Sequence, residues 1–427
     1  MYSFRLFTGV AAIVAAGSVW AQPDAPATLN DLVIRATQNN RDVLAVRQRL
    51  EEAKGLLRQA GVRPAPTLDV GGVTGRPLAT VGEEQFSAGI SREFETAGKR
   101  SKRIDVAEKQ LALAEAEYHE RVRQLRFEIS SRYADFTSDV ERIRVIDRLI
   151  EATRTSIELT RARVEKGDAA ALELNLQEAE LGRIVAQRAA AMGRVESIRA
   201  DISRLAGLTA GEVWSVAPQA DPPAVEKGPL VKQALERRPD LTMMRLLEQQ
   251  GVAEGTLAEA ERHANVTLSA GYGRVYSRFD DQFGTSPSGQ SVQLRDRDDV
   301  LSIGVSVPLF ARNRNAGNIE AAAARARAAR LRKEYLERAI PLEIEVAWQR
   351  FESMRLALAS LNRQTLPLAE RNLEVIRQAY QLGQLRMLDV LNEQRRVFDT
   401  QLATIDTQAE LRRSIAEIER ASGGVIQ

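Results

Sequence analysis

The sequence predicts a mainly α-helical fold, in which duplicated long helices pack on one another as in a coiled coil and each chain adds four membrane β-strands. Three observations lead to this fold class. Only 5% of the 427 residues are aromatic and 28% are charged, which is typical of long helices and not of compact cores. The motifs occur twice along the chain, and each half contains two short segments that alternate between apolar and small polar residues.

The first 21 residues have the features of a secretory signal peptide. Arg5 precedes an apolar run over residues 6–20, and Ala21 suits cleavage before Gln22. An uncleaved membrane anchor would need a longer apolar span. No later segment approaches 18 consecutive apolar residues, so we expect an exported chain without a transmembrane helix.

Charge and cysteine content exclude several classes of protein. The 60 basic and 58 acidic residues are interspersed along the chain, which disfavours nucleic acid as the main partner. The chain has no cysteine, so it forms neither a disulfide nor a thiolate metal site. Stability must therefore come from packing.

Three pairs of segments show that the chain is a tandem duplication. The matches are "LVIRATQNNRDV" (32–43) with "LVKQALERRPDL" (230–241), "TLDVGG" (67–72) with "TLSAGY" (267–272), and "FSAGIS" (86–91) with "LSIGVS" (301–306). In each half we expect a helix, two strands, a very long helix, a turn and a return helix.

The duplication divides the chain into five segments. These are a signal peptide at 1–21, a first repeat at 22–207, a linker rich in Pro and Ala at 208–228, a second repeat at 229–421 and a tail at 422–427.

The long helix of the first half is predicted from about Gly98 to Val164. Its apolar residues recur every three or four positions, as in a coiled coil: Ile104, Ala107, Leu111, Ala114, Tyr118, Val122, Leu125, Ile129, Tyr133, Phe136, Val140 and Ile143. A helix of this length would be about 100 Å long and must pack on other long helices. The partner rod, about 315–382, should bend at Pro341 and Pro367.

The predicted strands have one apolar face and one small polar face. Residues 266–273 and 300–307 alternate in this way. Taken alone, the alternation favours a sheet half-buried on a soluble core. Together with the export signal, it fits transmembrane β-strands of roughly nine to eleven residues. Four strands cannot close a barrel, for which about eight are the minimum, so several copies must share one.

The sequence contains no pattern typical of catalysis or of a bound cofactor. His119 and His263 are far apart and have no ligand spacing around them, and Met243 and Met244 point to different sides of a helix. A phosphate-binding glycine loop, a nucleophile with a base and paired acids in a cleft are all missing. We therefore expect no enzyme activity, no cofactor and no dedicated metal site.

Two motifs that follow the strands carry a family resemblance. "EFETAGKRSKRIDVAE" (93–108) and "VPLFARNRNAGNIEAA" (307–322) resemble the TolC-like outer membrane efflux proteins, most of all the outer membrane factors of cobalt-zinc-cadmium efflux systems. The resemblance covers about residues 27–421. It implies a homotrimer with a 12-stranded β-barrel in the lipid of the Gram-negative outer membrane and a helical barrel in the periplasm. Hairpin turns near 76–83 and 277–298 would then lie outside the cell.

The far end of the helical barrel is marked by two similar turns. "VEKGDAAALELN" (164–175) and "YQLGQLRMLDVL" (380–391) place Gly167 and Gly383 where each rod reverses. In the family this tip meets a periplasmic adaptor that belongs to an inner-membrane RND pump. The resemblance thus implies an adaptor-docking tip formed by Gly167, Leu172, Gly383 and Leu388, although the glycines could also serve only as helix caps.

Two positions match the periplasmic constriction of the family. Asp389 matches the acid that faces the pore, and the second acid of that pattern is replaced by Asn392. A ring of three Asp389 carboxylates would attract cations. The sequence leaves open whether this ring is a gate or a solvated rim.

A contact between neighbouring helices of the closed state is also implied. Tyr380 matches the tyrosine of that contact and Glu173 its acidic partner. The family arginine falls on Leu385, with Arg386 next to it.

The function implied is a passive exit duct for divalent heavy-metal cations. The same duct could serve multidrug efflux or type I protein secretion. A periplasmic adaptor also contains long helical hairpins, but it should have a single hairpin inserted in β-modules and not a full duplication with two strand pairs.

Overall fold

The computed structural model describes residues 27–74, 84–208, 214, 225–309 and 315–424. The predicted signal peptide (1–21), the predicted turn at 76–83, most of the linker and the last three residues lie outside the described residues.

The described part of the chain is mostly helical with one small sheet, as expected. The first half comprises α1 (Leu29–Asn39), α2 (Arg41–Ala60), β1 (Thr67–Thr74), β2 (Glu84–Phe94), α3 (Lys99–Glu165) and α4 (Ala171–Ala206). The second half comprises α5 (Leu230–Arg237), α6 (Pro239–Glu261), β3 (Val266–Thr285), β4 (Ser291–Ser306), α7 (Ala316–Ser360), a π-helical turn (Leu361–Thr365), α8 (Leu366–Gln381) and α9 (Met387–Ser422).

The single helix predicted at the start of each half is wrong, because each half begins with two helices. The breaks fall at equivalent residues with the same backbone, Asn40 (φ −64°, ψ 120°) and Arg238 (φ −64°, ψ 121°). The Asn40 side chain accepts hydrogen bonds from the backbone N–H groups of Asp42 and Val43 and so caps α2. In the second half Pro239 causes the break, since it disfavours helical backbone in the preceding residue and suits the first helical position.

Helix α3 confirms the long rod expected for the first half. It runs without a break for 67 residues, which corresponds to about 100 Å. Every residue of the predicted apolar series on it is buried or half-buried. Tyr133 and Phe136 pack in one core cluster with Leu32 of α1 and Ile202 of α4. Among the described helices, none is both long and apolar enough to cross a bilayer.

The second rod is interrupted close to Pro367, one of the two prolines at which we expected bends. Helix α7 includes Pro341 without a break, and a bend at that residue stays a prediction. The interruption is the π-helical turn Leu361–Thr365, which comes just before Pro367. Proline removes a backbone N–H and clashes with the turn before it, and a wider turn at that point relieves both problems.

The four strands form one antiparallel sheet in the order β1-β2-β3-β4. Thr67 pairs with Ser91 in the first hairpin, and the equivalent Thr267 pairs with Ser306 in the second. Both hairpins therefore have the same register, as a duplication requires. Strand β2 joins them by pairing with β3.

The turn predicted near 277–298 lies within that range but is shorter than expected, because β3 and β4 continue through most of it. The hairpin closes over residues 286–290, where Gly289 has φ +80° and Ser286 N–H donates to the Gln290 carbonyl at 2.9 Å. The charged residues of this segment suggested a loop. Strand pairing nevertheless resumes after an irregularity between Arg278 and Phe283, since polar side chains do not prevent the backbone hydrogen bonds of a ladder.

The apolar face of the sheet is exposed in the single chain. Leu68, Leu301 and Ile303 are 74%, 76% and 82% exposed. The alternative that this face covers a soluble core is therefore wrong for the described chain.

Candidate functional site

The candidate site is the tip, which we define as the two reversals between α3 and α4 and between α8 and α9. Both reversals use the same backbone motif. In the first, Gly167 N–H donates to the Val164 carbonyl at 3.0 Å and Asp168 N–H to the Arg163 carbonyl at 2.8 Å. This pair of bonds is the Schellman motif, which satisfies the free carbonyl groups at the end of a helix.

The second reversal repeats this motif. Gly383 N–H donates to the Tyr380 carbonyl and Gln384 N–H to the Ala379 carbonyl, both at 2.9 Å. Gly383 has φ +74° and Gly167 has φ +81°, whereas a Cβ added to either would meet no atom within 4 Å. A left-handed backbone, and not close packing, is therefore what requires glycine at the tip.

The residues predicted to dock an adaptor all lie on the surface of the tip. Leu172 and Leu388 are 66% and 52% exposed, each at the second residue of its helix. Both glycines are exposed as well. Docking itself stays a prediction.

A side-chain cluster connects the two reversals, which lie next to each other. The Tyr380 hydroxyl of α8 donates to Glu173 Oε2 of α4 at 2.8 Å. Arg163 of α3 donates through Nη1 to the same hydroxyl at 3.0 Å, and its guanidinium lies 5.5 Å from the centre of the Tyr380 ring. We call Arg163, Glu173 and Tyr380 the latch cluster.

The latch cluster favours the neutral form of its tyrosine. Burial and the hydrogen bond to Glu173 raise the pKa of Tyr380, and Arg163 opposes them. The hydroxyl therefore remains protonated at neutral pH and can donate to the carboxylate while it accepts from the guanidinium.

The sequence missed the basic residue of this cluster. Arg386 had been considered because it lies next to the family position, but it caps α9 through its backbone N–H, which donates to Asp389 Oδ2 at 3.0 Å. The arginine at Tyr380 is Arg163, from the last turn of the other hairpin. Its place four residues before Gly167 was the available signal in the sequence.

Asp389 and Asn392 do not belong to the latch cluster. Asp389 is the third residue of α9, where its half-buried carboxylate accepts from the start of the helix. A carboxylate is favourable at this place because the helix dipole is positive there. Asn392 is exposed almost one turn further on. Their position on a pore stays a prediction.

Buried polar contacts hold the helices together just beyond the tip. Gln177 of α4 is buried, and its Nε2 donates to Thr160 Oγ1 of α3 at 3.0 Å and to Met387 Sδ of α9 at 3.2 Å. These contacts connect three helices that carry the two reversals, so the latch cluster rests on a packed support.

An ion-pair cluster follows one turn further along α4. Glu180 Oε1 accepts from Arg183 Nη2 at 2.5 Å, and Glu180 Oε2 accepts from Arg395 of α9 at 2.9 Å. The hydrogen bond from Arg183 lowers the pKa of Glu180; burial opposes this change and Arg395 adds to it.

The described residues contain no group of three or more His, Cys, Asp or Glu side chains arranged to hold a metal ion. His119 packs edge-on against Tyr118, with ring centres 5.6 Å apart.

Comparisons with known proteins agree with this architecture. The family model described as outer membrane efflux protein matches residues 32–208 and 230–424. The cobalt-zinc-cadmium resistance protein CzcC of Cupriavidus metallidurans is 22% identical over 401 residues, which span 93% of this chain and 90% of CzcC. The nickel-cobalt-cadmium resistance protein NccC of Alcaligenes xylosoxydans is 26% identical over 268 residues, which span 58% of this chain and 53% of NccC.

A solved structure shows the same fold. The crystal structure of CusC matches with a TM-score of 0.74 and 17% identity, over 93% of this chain and 92% of CusC. The two blocks matched by the family model cover most of the sequence and correspond to its two halves. The chain belongs to the outer membrane efflux protein family, which confirms the resemblance carried by its motifs.

Proposed function

We propose that three copies of this chain form the exit channel of a tripartite efflux system in the Gram-negative outer membrane. The channel conducts its substrates passively from a periplasmic adaptor and an inner-membrane RND pump to the exterior. The observation that carries this proposal is the exposed apolar face of the sheet, which has β1 and β4 as its two edges.

The edges of the sheet argue for three copies. Lipid does not tolerate unpaired strand edges, because their N–H and C=O groups would lack partners there. Four strands are too few to close a barrel, whereas three copies supply the twelve strands implied by the family resemblance. Helix α3, at about 100 Å, is far longer than the roughly 40–45 Å of a bilayer with its headgroups, so the helices would extend into the periplasm.

Divalent heavy-metal cations are the proposed substrates. CzcC and NccC, which are similar to this chain, are named for resistance to such metals. Deletion of the gene should lower the tolerance of the host to cobalt, zinc, cadmium or nickel, and a plasmid copy should restore it. Unchanged metal tolerance with increased sensitivity to dyes and antibiotics would favour the multidrug duct, and loss of a secreted protein would favour type I secretion.

Asp389 is proposed to face the pore near its periplasmic end. Three carboxylates on a narrow ring attract cations. Asp389→Asn removes the charge but keeps an oxygen that can accept from the Arg386 N–H, so the cap of α9 should survive. The variant should show lower cation-over-anion selectivity in planar bilayers; an unchanged reversal potential in a salt gradient would contradict this position.

The tip is proposed as the docking surface for the adaptor. Its exposed leucines, Leu172 and Leu388, offer apolar contacts beside the two glycine reversals. Replacing both leucines with glutamate should abolish efflux while the protein remains in the outer membrane. Normal efflux by this variant would contradict the docking role.

A further inference from the structure

The two edge strands of the sheet, β1 and β4, are the strands through which two copies of the chain would pair. We infer that β4 of one copy pairs with β1 of the next copy in a single register, in which Gly304 lies opposite Gly71 of the partner subunit. This inference rests on the proposed trimeric channel and adds the register of its seam. The pairing of β2 with β3 within one chain, which we call the template junction, is the model for the pairing between copies.

The internal duplication makes the two junctions equivalent. Strand β2 corresponds to β4 and β3 corresponds to β1, because the matching motifs relate residues 86–91 to 301–306 and residues 67–72 to 267–272. The two hairpins keep the same register after duplication. If the junction between copies keeps the register of the β2–β3 junction as well, the barrel consists of six equivalent hairpins.

A row of glycines marks the register on every strand. Gly89 pairs with Gly271 at the β2–β3 junction, and their equivalents are Gly304 and Gly71 on the two outer edges. A Cβ on Gly89 would lie 3.3 Å from the Ala270 carbonyl oxygen, so the template junction is tight at this pair. The proposed seam therefore brings together two glycines, as the template does.

Registers shifted by two residues lose this match. They would keep the apolar face aligned but would place Val73 or Asp69 of the partner subunit opposite Gly304. In the proposed register Val305 lies beside Val70 of the partner subunit on the apolar face, and Ser306 lies opposite Asp69 of the partner subunit on the polar face. The second pair corresponds to Ser91 and Ser269 at the template junction.

The tilt of the strands counts against one of the two shifted registers. Thr67 of β1 pairs with Ser91 of β2, and Ser91 pairs with Ser269 of β3. Ser269 lies two residues after Thr267, which is the residue of β3 that corresponds to Thr67 in the duplication. This offset of about one residue per strand, about 3.4 Å over a strand spacing of about 4.8 Å, gives a tilt of about 35°. A seam shifted by two residues would give about 47° or about 20°. Membrane barrels tilt by about 35–45°, so the tilt excludes the register at about 20°, and the glycine match distinguishes the other two.

Cysteine cross-linking in the outer membrane tests the register directly, because the chain contains no cysteine of its own. The variants Val70→Cys/Val305→Cys and Asp69→Cys/Ser306→Cys join pairs that lie opposite each other in the proposed register. The variants Val70→Cys/Val307→Cys and Val70→Cys/Ile303→Cys are controls on the same face, shifted by two residues in either direction. Within one chain the edges are at least about 14 Å apart, which is too far for a disulfide, so each link reports a contact between copies.

Under oxidising conditions, at least one of the first two variants should give covalent dimers and trimers in boiled, non-reduced samples. Its yield should exceed that of both controls by about fivefold, since disulfides require Cα atoms within about 7 Å. A control that links better than both proposed pairs would overturn the register while leaving the trimer intact. Absence of any link in a protein with the native mass of a trimer would also overturn it. A monomeric native mass would overturn the proposed channel itself.

Discussion

The latch cluster can be tested by removing one oxygen atom. Tyr380→Phe keeps the ring under the Arg163 guanidinium but deletes the hydroxyl that bonds to Arg163 and to Glu173. Hydrogen bonds to charged groups contribute about 1.5–3 kcal/mol when buried, and because this cluster is only half-buried we expect about 1 kcal/mol per copy. That value corresponds to about a fivefold shift toward the open tip per copy, and three copies acting together would give about 3 kcal/mol or a shift of more than a hundredfold.

Single-channel recording in planar bilayers measures this shift. The Tyr380→Phe channel should spend a larger fraction of time in high-conductance states than the native channel. Tyr335→Phe is a matched control, because it makes the same chemical change at a side chain that is 70% exposed on α7. Equal open fractions for the native channel and both variants would refute the latch role of Tyr380.

The same cluster predicts a dependence on alkaline pH. The pKa of Tyr380 is raised above its ordinary value of 10.0 in the folded protein. Its contribution to stability is therefore fully present below about pH 10 and is lost as the pH rises through the raised pKa. The open fraction of the native channel should rise at the alkaline end, whereas Tyr380→Phe should show no such rise.

Three further variants or conditions test the tip and its supports. Gly383→Val places a β-branched residue at φ +74° and should destabilise the tip by about 2 kcal/mol through backbone strain alone, measured as a lower melting temperature of the trimer. Asn40→Ala removes the cap of α2 and the 2.8 Å bond from Asn40 Nδ2 to the Leu205 carbonyl, so unfolding should become easier by about 2 kcal/mol; no change in denaturant midpoint would contradict the capping role. The lowered pKa of Glu180, due first to Arg183 and then to Arg395, means that its stabilisation is present above about pH 4.5 and is lost as the pH falls through the lowered pKa. Protease cleavage near the tip should rise in that range in the native protein and depend less on pH in Arg395→Ala.

Periodicity over many residues made the long elements predictable. The apolar series of α3 spans more than ten turns, so no alternative structure fits it as well, and its ends were placed within one residue. The break at Asn40 was missed because a capping side chain leaves little trace in periodicity, and Pro239 in the second half was the clearer signal. The extent of β3 and β4 was missed because their charged residues do not alternate with apolar ones.

At the candidate site the sequence was informative for the two residues that the family resemblance matched. Tyr380 and Glu173 were expected to meet, and the structure places them 2.8 Å apart. Arg163 was missed because the family pattern has no matching residue at its position, and only the fold brings the end of α3 to Tyr380. For the same reason the capping role of Asp389 was not foreseen, since the sequence suggested only a charge on a pore.

The π-helical turn at Leu361–Thr365 gives the two hairpins of one chain unequal stiffness. The first hairpin stands on a single unbroken helix, whereas the second contains a wider turn with weaker backbone bonding about 15–20 residues from its end. A force on the tip should therefore bend the second hairpin more than the first. Tyr380 lies on the second hairpin and both of its partners lie on the first, so the latch cluster connects the more flexible hairpin to the stiffer one.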